Sequence, residues 1–493
     1  MKTILRDVGL FLHVPAIMAL VSLIVAVVAQ ETYALLPLMV CAIASLTIGQ
    51  IFYRLAKCPK SSRLPYAMIS AALGWLLLPL FGAIPILMTA HATEQSLNLS
   101  TTILRLQDPW NAIFEAYSGF TSTGLSMATN YSDIPYTLQW WRSLMQWVGG
   151  VGIIVLVISV LDPSTEPARL YNAEGREQRI GLTLNQTVKR IWWIYLIYTV
   201  GSIFLFRLVG MDWWSALNHG MTGIATGGFS VTEDSIANYD IVVKLAVMVV
   251  MIFGAISFSV HYQLLRQGKI SAFWSDNQHR ALWFMLFGGG LLLWFLQQLS
   301  PLDVPILNIL FQWVSAVSTC GFGTTSVQSW NSGAKLLMII AMLIGGAAGS
   351  TAGGIKLSRF IVVVKAIVWR LRRVALLPHE MMRYELDGKV IKESEANRRV
   401  EAAAVLAILW LFVVTIGIFI LQYLKLPTSD LIDVIFEAAS ATSGVGISAG
   451  VTHPDLPWVG KLTLICLMWI GRLEIIPILL LLSLPVKYLL NRK

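Results

Sequence analysis

Ser122-Thr123-Gly124-Leu125-Ser126, Thr226-Gly227-Gly228-Phe229-Ser230, Thr319-Cys320-Gly321-Phe322-Gly323 and Gly444-Val445-Gly446-Ile447-Ser448 are four versions of one pattern. Each closes a small-residue stretch with a glycine, an apolar residue and then a serine or glycine. Aligned on Gly124, Gly228, Gly321 and Gly446, the segments need no gap upstream. Six positions earlier stand Ser118, Thr222, Ser315 and Ser440, and nine earlier the polar Glu115, His219, Gln312 and Glu437. Downstream a glycine recurs at Gly149, Gly254, Gly345 and Gly471, which lie 25, 26, 24 and 25 residues after the anchors. Such self-similarity marks an internally repeated chain.

The surroundings of these stretches are apolar. Of 493 residues 56% are hydrophobic and 13% charged, too little polar surface for a soluble fold of this size. Nearly uncharged runs occupy 8–29, 35–53, 66–90, 138–161, 191–206, 241–260, 281–297, 336–355, 402–424 and 462–486. About 20 such residues cross a bilayer as helix. The segments before the four glycines (110–121, 214–225, 307–318 and 432–443) are too short to cross. They read as re-entrant pore helices, which membranes tolerate only within protein or beside water. The expected fold is an all-α integral membrane protein of four pseudo-symmetric span–pore loop–span repeats, at 61–165, 166–270, 271–375 and 376–493. A pair of spans at 1–60 precedes them. The short alternating segments of a membrane β-barrel are absent from the sequence.

The net charge is +9, and its placement is informative. Basic residues gather after the second span (Arg54, Lys57, Lys60, Arg63), after 138–161 (Arg169, Arg176, Arg179, Lys189, Arg190), at Arg266, Lys269 and Arg280, between Lys365 and Arg399, and at Lys487, Arg492 and Lys493. The intervening segments 91–110, 126–137, 230–240, 325–334 and 449–458 contain no Lys or Arg except Arg105. The positive-inside rule puts the basic set, and both termini, in the cytoplasm, with the protein in the plasma membrane among lipid. These charges flank spans and come with no aromatic reader surface, so nucleic acid is not an expected partner. Cys41, Cys58, Cys320 and Cys466 are too scattered for a metal motif. No HExxH, no GxSxG with partners and no acidic metal cluster is present, so no enzyme is expected.

Four converging glycine loops suit cation passage. Rings of backbone carbonyls replace water around an ion without the full charge that would trap it. Glycine opens backbone conformations closed to other residues, and pore helices aim their partly negative C-termini at the path. The candidate filter residues are Ser122, Thr123, Gly124, Thr226, Gly227, Gly228, Thr319, Cys320, Gly321, Gly444, Val445 and Gly446. The ion would be held at their backbone carbonyls only, with no bound cofactor.

Two features break the symmetry. Arg472 follows Gly471 where the other repeats have Gly150, Ala255 and Gly346. An arginine inside a span costs at least about 2.5–3.5 kcal/mol, so it should avoid lipid. It either faces the path below the filter, pairs with Glu474 or Glu437, or does both. The run Gly345-Gly346-Ala347-Ala348-Gly349-Ser350-Thr351-Ala352-Gly353-Gly354 cannot be a rigid helix, since each interior glycine costs up to about 1 kcal/mol. Gly345, Gly346, Gly349, Ser350, Gly353 and Gly354, with Arg472, are the candidate gate. The polar set nine residues before the anchors is expected chiefly to anchor pore helices to neighbouring spans, the alternative being that it tunes the field at the filter.

These marks, with Gly149-Gly150-Val151-Gly152 and Gly471-Arg472-Leu473-Glu474, resemble the Trk/Ktr/HKT superfamily of potassium transporters, in particular its bacterial Trk-type membrane subunits. The resemblance covers almost the whole chain. It implies potassium as the transported ion, since all four anchors are glycine where some sodium-favouring plant relatives have serine in the first. It also implies that the third-repeat glycine run is an intramembrane loop that obstructs the pore and moves on gating. Homodimers and a cytosolic nucleotide-binding (TrkA-like) regulatory subunit are further implications. An ion-coupled secondary transporter using H+ or Na+, or the pore subunit of a potassium-pumping ATPase, are the alternatives.

Overall fold

The computed structural model describes residues 2–56, 64–93, 100–152, 184–377, 381–424 and 430–490, with side chains to 483 in the last segment. Lys57, Cys58, Lys60, Arg63, residues 153–161 of an expected span, Arg169, Arg176, Arg179, Arg492 and Lys493 lie outside the described residues, as do the expected boundaries near 60 and 165.

An N-terminal group of helices, α1 (Lys2–Phe11), α2 (His13–Val28) and α3 (Leu35–Leu55), precedes the repeats. Repeat 1 follows as α4 (Leu64–Thr93), α5 (Thr101–Leu106), α6 (Pro109–Phe120) and α7 (Tyr136–Val151). Repeat 2 is α8 (Leu184–Leu208), α9 (Trp213–Ile224), α10 (Ile241–Ala255) and α11 (Phe258–Gln267). Repeat 3 is α12 (Asn277–Phe284), α13 (Gly290–Gln298), α14 (Ile306–Ser318), α15 (Ser332–Ile344) and α16 (Leu357–Ala375). Repeat 4 is α17 (Glu393–Tyr423), α18 (Leu431–Ser443), α19 (Trp458–Arg472) and α20 (Ile476–Leu490). Six helices are long and apolar enough to cross a membrane, or eight if two bent pairs each count as one span. The expected short segments are the helices α6, α9, α14 and α18, each within a residue of its expected place.

The chain departs from the expected continuous spans in physically legible ways. Only the third repeat was expected to break. The second span of repeat 2 also bends, by 105° between α10 and α11, and that of repeat 4 by 112° between α19 and α20. Glu474 and Ile475 carry that second bend at φ 58° and 70°. A π-helical turn at Met285–Gly289 joins α12 to α13. In the basic segment before α17, two three-residue strands (β1, Tyr384–Leu386; β2, Lys389–Ile391) pair antiparallel. Asp387 and Gly388, both at positive φ, make the tight turn that suits such a hairpin.

The N-terminal group is tied to repeat 1 by polar bonds as well as packing. Glu31 accepts from Tyr136 N and Thr137 N, both at 2.8 Å, capping α7 from another element. Pro85 within α4 cannot donate to Phe81 O, and the Cys41 thiol donates to that carbonyl instead (3.3 Å). Core packing runs continuously from these helices through all four repeats, reaching Phe436, Val445 and Trp469 in the last.

Candidate functional site

Each pore helix ends in the same local geometry. The residue two before the anchor glycine, Ser122, Thr226, Thr319 or Gly444, is left-handed at φ 56°, 50°, 54° and 64°. The next N–H turns back to the carbonyl of the residue five before it: Thr123 to Ser118, Gly227 to Thr222, Cys320 to Ser315 and Val445 to Ser440, at 2.9–3.0 Å. The hydroxyls six before the anchor finish the turn. Ser118, Ser315 and Ser440 accept from Gly124, Gly321 and Gly446 N–H at 3.0–3.1 Å. In repeat 2, Thr222 instead donates to Phe229 O.

The four loops meet in a closed cycle. All four anchors have positive φ. A Cβ on Gly124 would overlap the carbonyl oxygen of Gly227, one on Gly228 that of Cys320, one on Gly321 that of Val445, and one on Gly446 that of Thr123. Each anchor thus packs on the carbonyl just before the next anchor, in the order repeat 1, 2, 3, 4 and back to 1. The twelve candidate filter residues are brought together. The recurrent glycines let spans pass close by. A Cβ on Gly149 would strike Phe120 O, and one on Gly471 would strike Thr442 O, each at the base of its own pore helix.

The polar set nine before the anchors ties the strand that leaves each loop. Glu115 accepts from Ser126 Oγ (2.9 Å) and Met127 N (2.9 Å), and Glu437 from Ser448 Oγ (2.9 Å), Ala449 N (2.9 Å) and Thr452 N (3.1 Å). His219 bonds Ser230 Oγ (2.9 Å) and Gln312 donates to Thr325 O (2.6 Å).

Below this ring lies a cavity of about 70 Å³, lined by Trp75, Ser122, Ser350, Lys356, Gly444 and Arg472 among others. Arg472 donates to Gly149 O and Gly150 O at the C-terminal end of α7, and its guanidinium stacks on Trp75, 5.1 Å from the ring centre. A cation is favoured at that helix end. Glu474 forms an ion pair with Arg359 at 2.5 Å.

The glycine run is irregular backbone crossing under the ring. Gly345, Gly349 and Gly354 have positive φ, and so does Lys356, whose ammonium donates to Ala352 O. Gly353 N donates to Thr319 Oγ1 (2.6 Å), a candidate filter residue of repeat 3, and Gly354 N to Ser443 O (3.1 Å), the residue before the candidate filter residue Gly444 of repeat 4. Gly346 O accepts from Leu357 N (3.0 Å), and Ser350 donates to Ala347 O (2.6 Å).

Several ionic contacts with a buried cation were not anticipated. Arg142 bonds Glu115 (2.7 Å) and reaches Ser230 O in the next repeat (3.1 Å), under the Phe229 ring at 4.1 Å. Lys335 on α15 pairs with Asp433 on the pore helix of repeat 4 (2.5 Å), and Lys461 on α19 with Asp108 at the start of the repeat 1 pore helix (3.3 Å). Gln139 on α7 accepts from Trp214 on the repeat 2 pore helix (2.6 Å). Spans of three repeats therefore hold the next repeat's pore helix. The self-alignment contained a signal for Arg142: eighteen residues after the other anchors stand Ala246, Ile339 and Leu464.

Arg142→Met would leave Glu115 buried without its cation. The expected loss is about 3–5 kcal/mol of stability, read as a lower melting temperature in detergent. Adding Glu115→Gln should recover most of it, and a single variant as stable as wild type would count against the pair's importance.

The fold and site define a polytopic helical membrane protein in which four glycine loops, each following a short helix, meet in a closed cycle. The family model described as TrkH, cation transport protein, matches residues 83–489. The chain belongs to this family, which makes it a transport protein and not an enzyme. An uncharacterized cation transporter of Methanocaldococcus jannaschii is 35% identical over 480 residues, 97% of this chain and 94% of that one. The Trk system potassium uptake protein TrkH of Escherichia coli K12 is 28% identical over 83% of each chain. The crystal structure of the potassium transporter TrkH from Vibrio parahaemolyticus superposes with a TM-score of 0.82 at 25% identity, covering 98% of this chain and 99% of that chain. The family needs no cofactor, and among the described residues no group of His, Cys, Asp or Glu is arranged to hold a metal.

Proposed function

We propose that this protein takes up potassium across the plasma membrane through one central path, with the four-glycine ring as its selectivity filter. The observation that carries this reading is the closed cycle of anchor glycines on neighbouring carbonyls. A ring of backbone dipoles with no side chain intruding is what a dehydrated monovalent cation requires. The names of the E. coli and Vibrio relatives support potassium as the ion.

In this reading each repeat contributes one quarter of the filter, the units being 61–165, 166–270, 271–375 and 376–493 after the 1–60 pair. The glycine loop and Arg472 form the gate below it. The basic face is cytoplasmic, and there a TrkA-like nucleotide-binding subunit docks on a homodimer of this chain. Liposomes holding the purified protein under imposed K+, Na+ and H+ gradients test the proposal. Potassium flux that needs no second ion is the expected result. Absence of potassium flux from folded protein overturns the reading, and flux that stops without H+ or Na+ replaces it with a coupled transporter.

A further inference from the structure

The unexpected break in repeat 2 is occupied. The last carbonyls of α10, Gly254 and Ala255, accept from loop residues Thr351 N (3.2 Å) and Ala347 N (3.0 Å). Phe258 N, at the start of α11, donates to Gly349 O (2.8 Å). Thr351 Oγ1 adds bonds to Gly254 O (2.8 Å) and Ile224 O (3.0 Å). Helix-end groups that lack partners within their own helices thus form a seat for the glycine loop.

A third element grips both loop and seat through two consecutive buried side chains at the start of α12. Gln278 Oε1 accepts from Ala348 N on the loop (3.1 Å). His279 Nε2 accepts from Ser257 N in the seat (3.3 Å). Asp276 sets this pair: its Oδ1 caps α12 through His279 N (2.9 Å) and faces His279 Nδ1 at 2.6 Å. Burial pushes the Asp276 carboxyl up, but hydrogen bonds from His279 and Gln278 outweigh it and hold the group below the usual carboxylate range. A carboxylate there puts the imidazole proton on Nδ1, which leaves Nε2 as the acceptor that Ser257 N–H requires. On the far side of the bend, His261 bonds Phe253 O (2.9 Å) and the Tyr198 hydroxyl (3.0 Å).

We infer that Gln278 and His279, oriented by Asp276, are a clamp that keeps the glycine loop in its repeat 2 seat and thereby sets the resting closed state. They are positioning residues, and the inference rests on the reading of the loop as the gate. The clamp sits at the repeat 2 bend, close in the chain to Arg266, Lys269 and Arg280. Releasing either acceptor leaves an N–H of loop or seat without its partner and favours the unseated loop.

The test uses the full chain in liposomes with potassium flux as readout, beside a variant lacking residues 348–351. Gln278→Met and His279→Leu should each raise basal flux about three- to ten-fold, the weight of one buried hydrogen bond. His279→Gln, whose carbonyl can take the Nε2 acceptor place, should stay near wild type, a rescue that bulk packing would not produce. Wild-type flux in folded Gln278→Met and His279→Leu, with a raised leak in the deletion, overturns the clamp and leaves the gate standing. Equal leak from His279→Gln and His279→Leu also overturns it. A deletion that folds and leaks no more than wild type removes the gate reading itself. Should His279→Leu fail to fold, Gln278→Met decides alone, since it leaves the seat intact.

Discussion

Gly446→Ala should reduce potassium uptake by about 100-fold or more and collapse the preference for K+ over Na+ in what remains. Gly446 has φ 89° and faces the Thr123 carbonyl at the point where the fourth loop closes on the first. A side chain there meets two costs. Holding an L-residue in such a conformation takes about 1–3 kcal/mol. The added carbon also overlaps main-chain atoms that have no rotamer by which to yield, so the ring itself must open. Each 1.4 kcal/mol or so placed on the barrier is about ten-fold in rate. Uptake by cells lacking their own potassium systems, with K+ and Na+ fluxes in liposomes, measures both effects. Gly201→Ala is the control, because nothing lies within 4 Å of a Cβ at that helical position. A Gly446→Ala protein of normal stability, uptake and selectivity would remove the filter assignment.

Arg472→Ala is expected to do the reverse and raise flux about ten-fold. The guanidinium borders the cavity under the ring, fixed by the Gly149 and Gly150 carbonyls and the Trp75 face. Unit charges about 10 Å apart at an effective dielectric of about 20 interact by about 1.7 kcal/mol, repulsive for a passing cation. That is somewhat over ten-fold in rate. Arg472→Lys keeps the charge but loses the planar guanidinium that packs on the Trp75 ring, so its flux should fall between the two. Unchanged conductance in folded Arg472→Ala protein would show that the residue serves only to join repeat 4 to repeat 1.

The two substitutions draw on different kinds of legibility. Gly446 was readable because its loop is a local unit: a short helix, a left-handed turn and a glycine recur four times within short stretches of chain. The serines six residues before the anchors belong to the same local unit, and they cap the same N–H in three repeats. Arg472 was readable as an exception to its own repeat, and Arg142 was an equally clear exception. The bends of repeats 2 and 4 were not readable. Ile256-Ser257 contains no proline or glycine and its apolar run looks continuous, while at Glu474-Ile475 the charges of Arg472 and Glu474 and the following Pro477 mark a disturbance without fixing a bend. In repeat 2 the helix-breaking geometry is stable because distant partners take up the freed backbone groups, as the glycine loop does at Gly254, Ala255 and Phe258.

By itself, then, the sequence determined the loops at Gly124, Gly228, Gly321 and Gly446, the short helices before them and the apolar spans around them. These follow from periodicity, length and backbone conformation, which act over a few residues. Only the tertiary structure decided that each anchor packs on the preceding carbonyl of the next loop. It alone also decided that Lys335 and Lys461 hold the pore helices of neighbouring repeats, and that the glycine run rests in a broken helix of repeat 2. Those contacts join residues far apart in the chain, and the close-packed interior fixes them by shape and hydrogen bonding that no local pattern encodes.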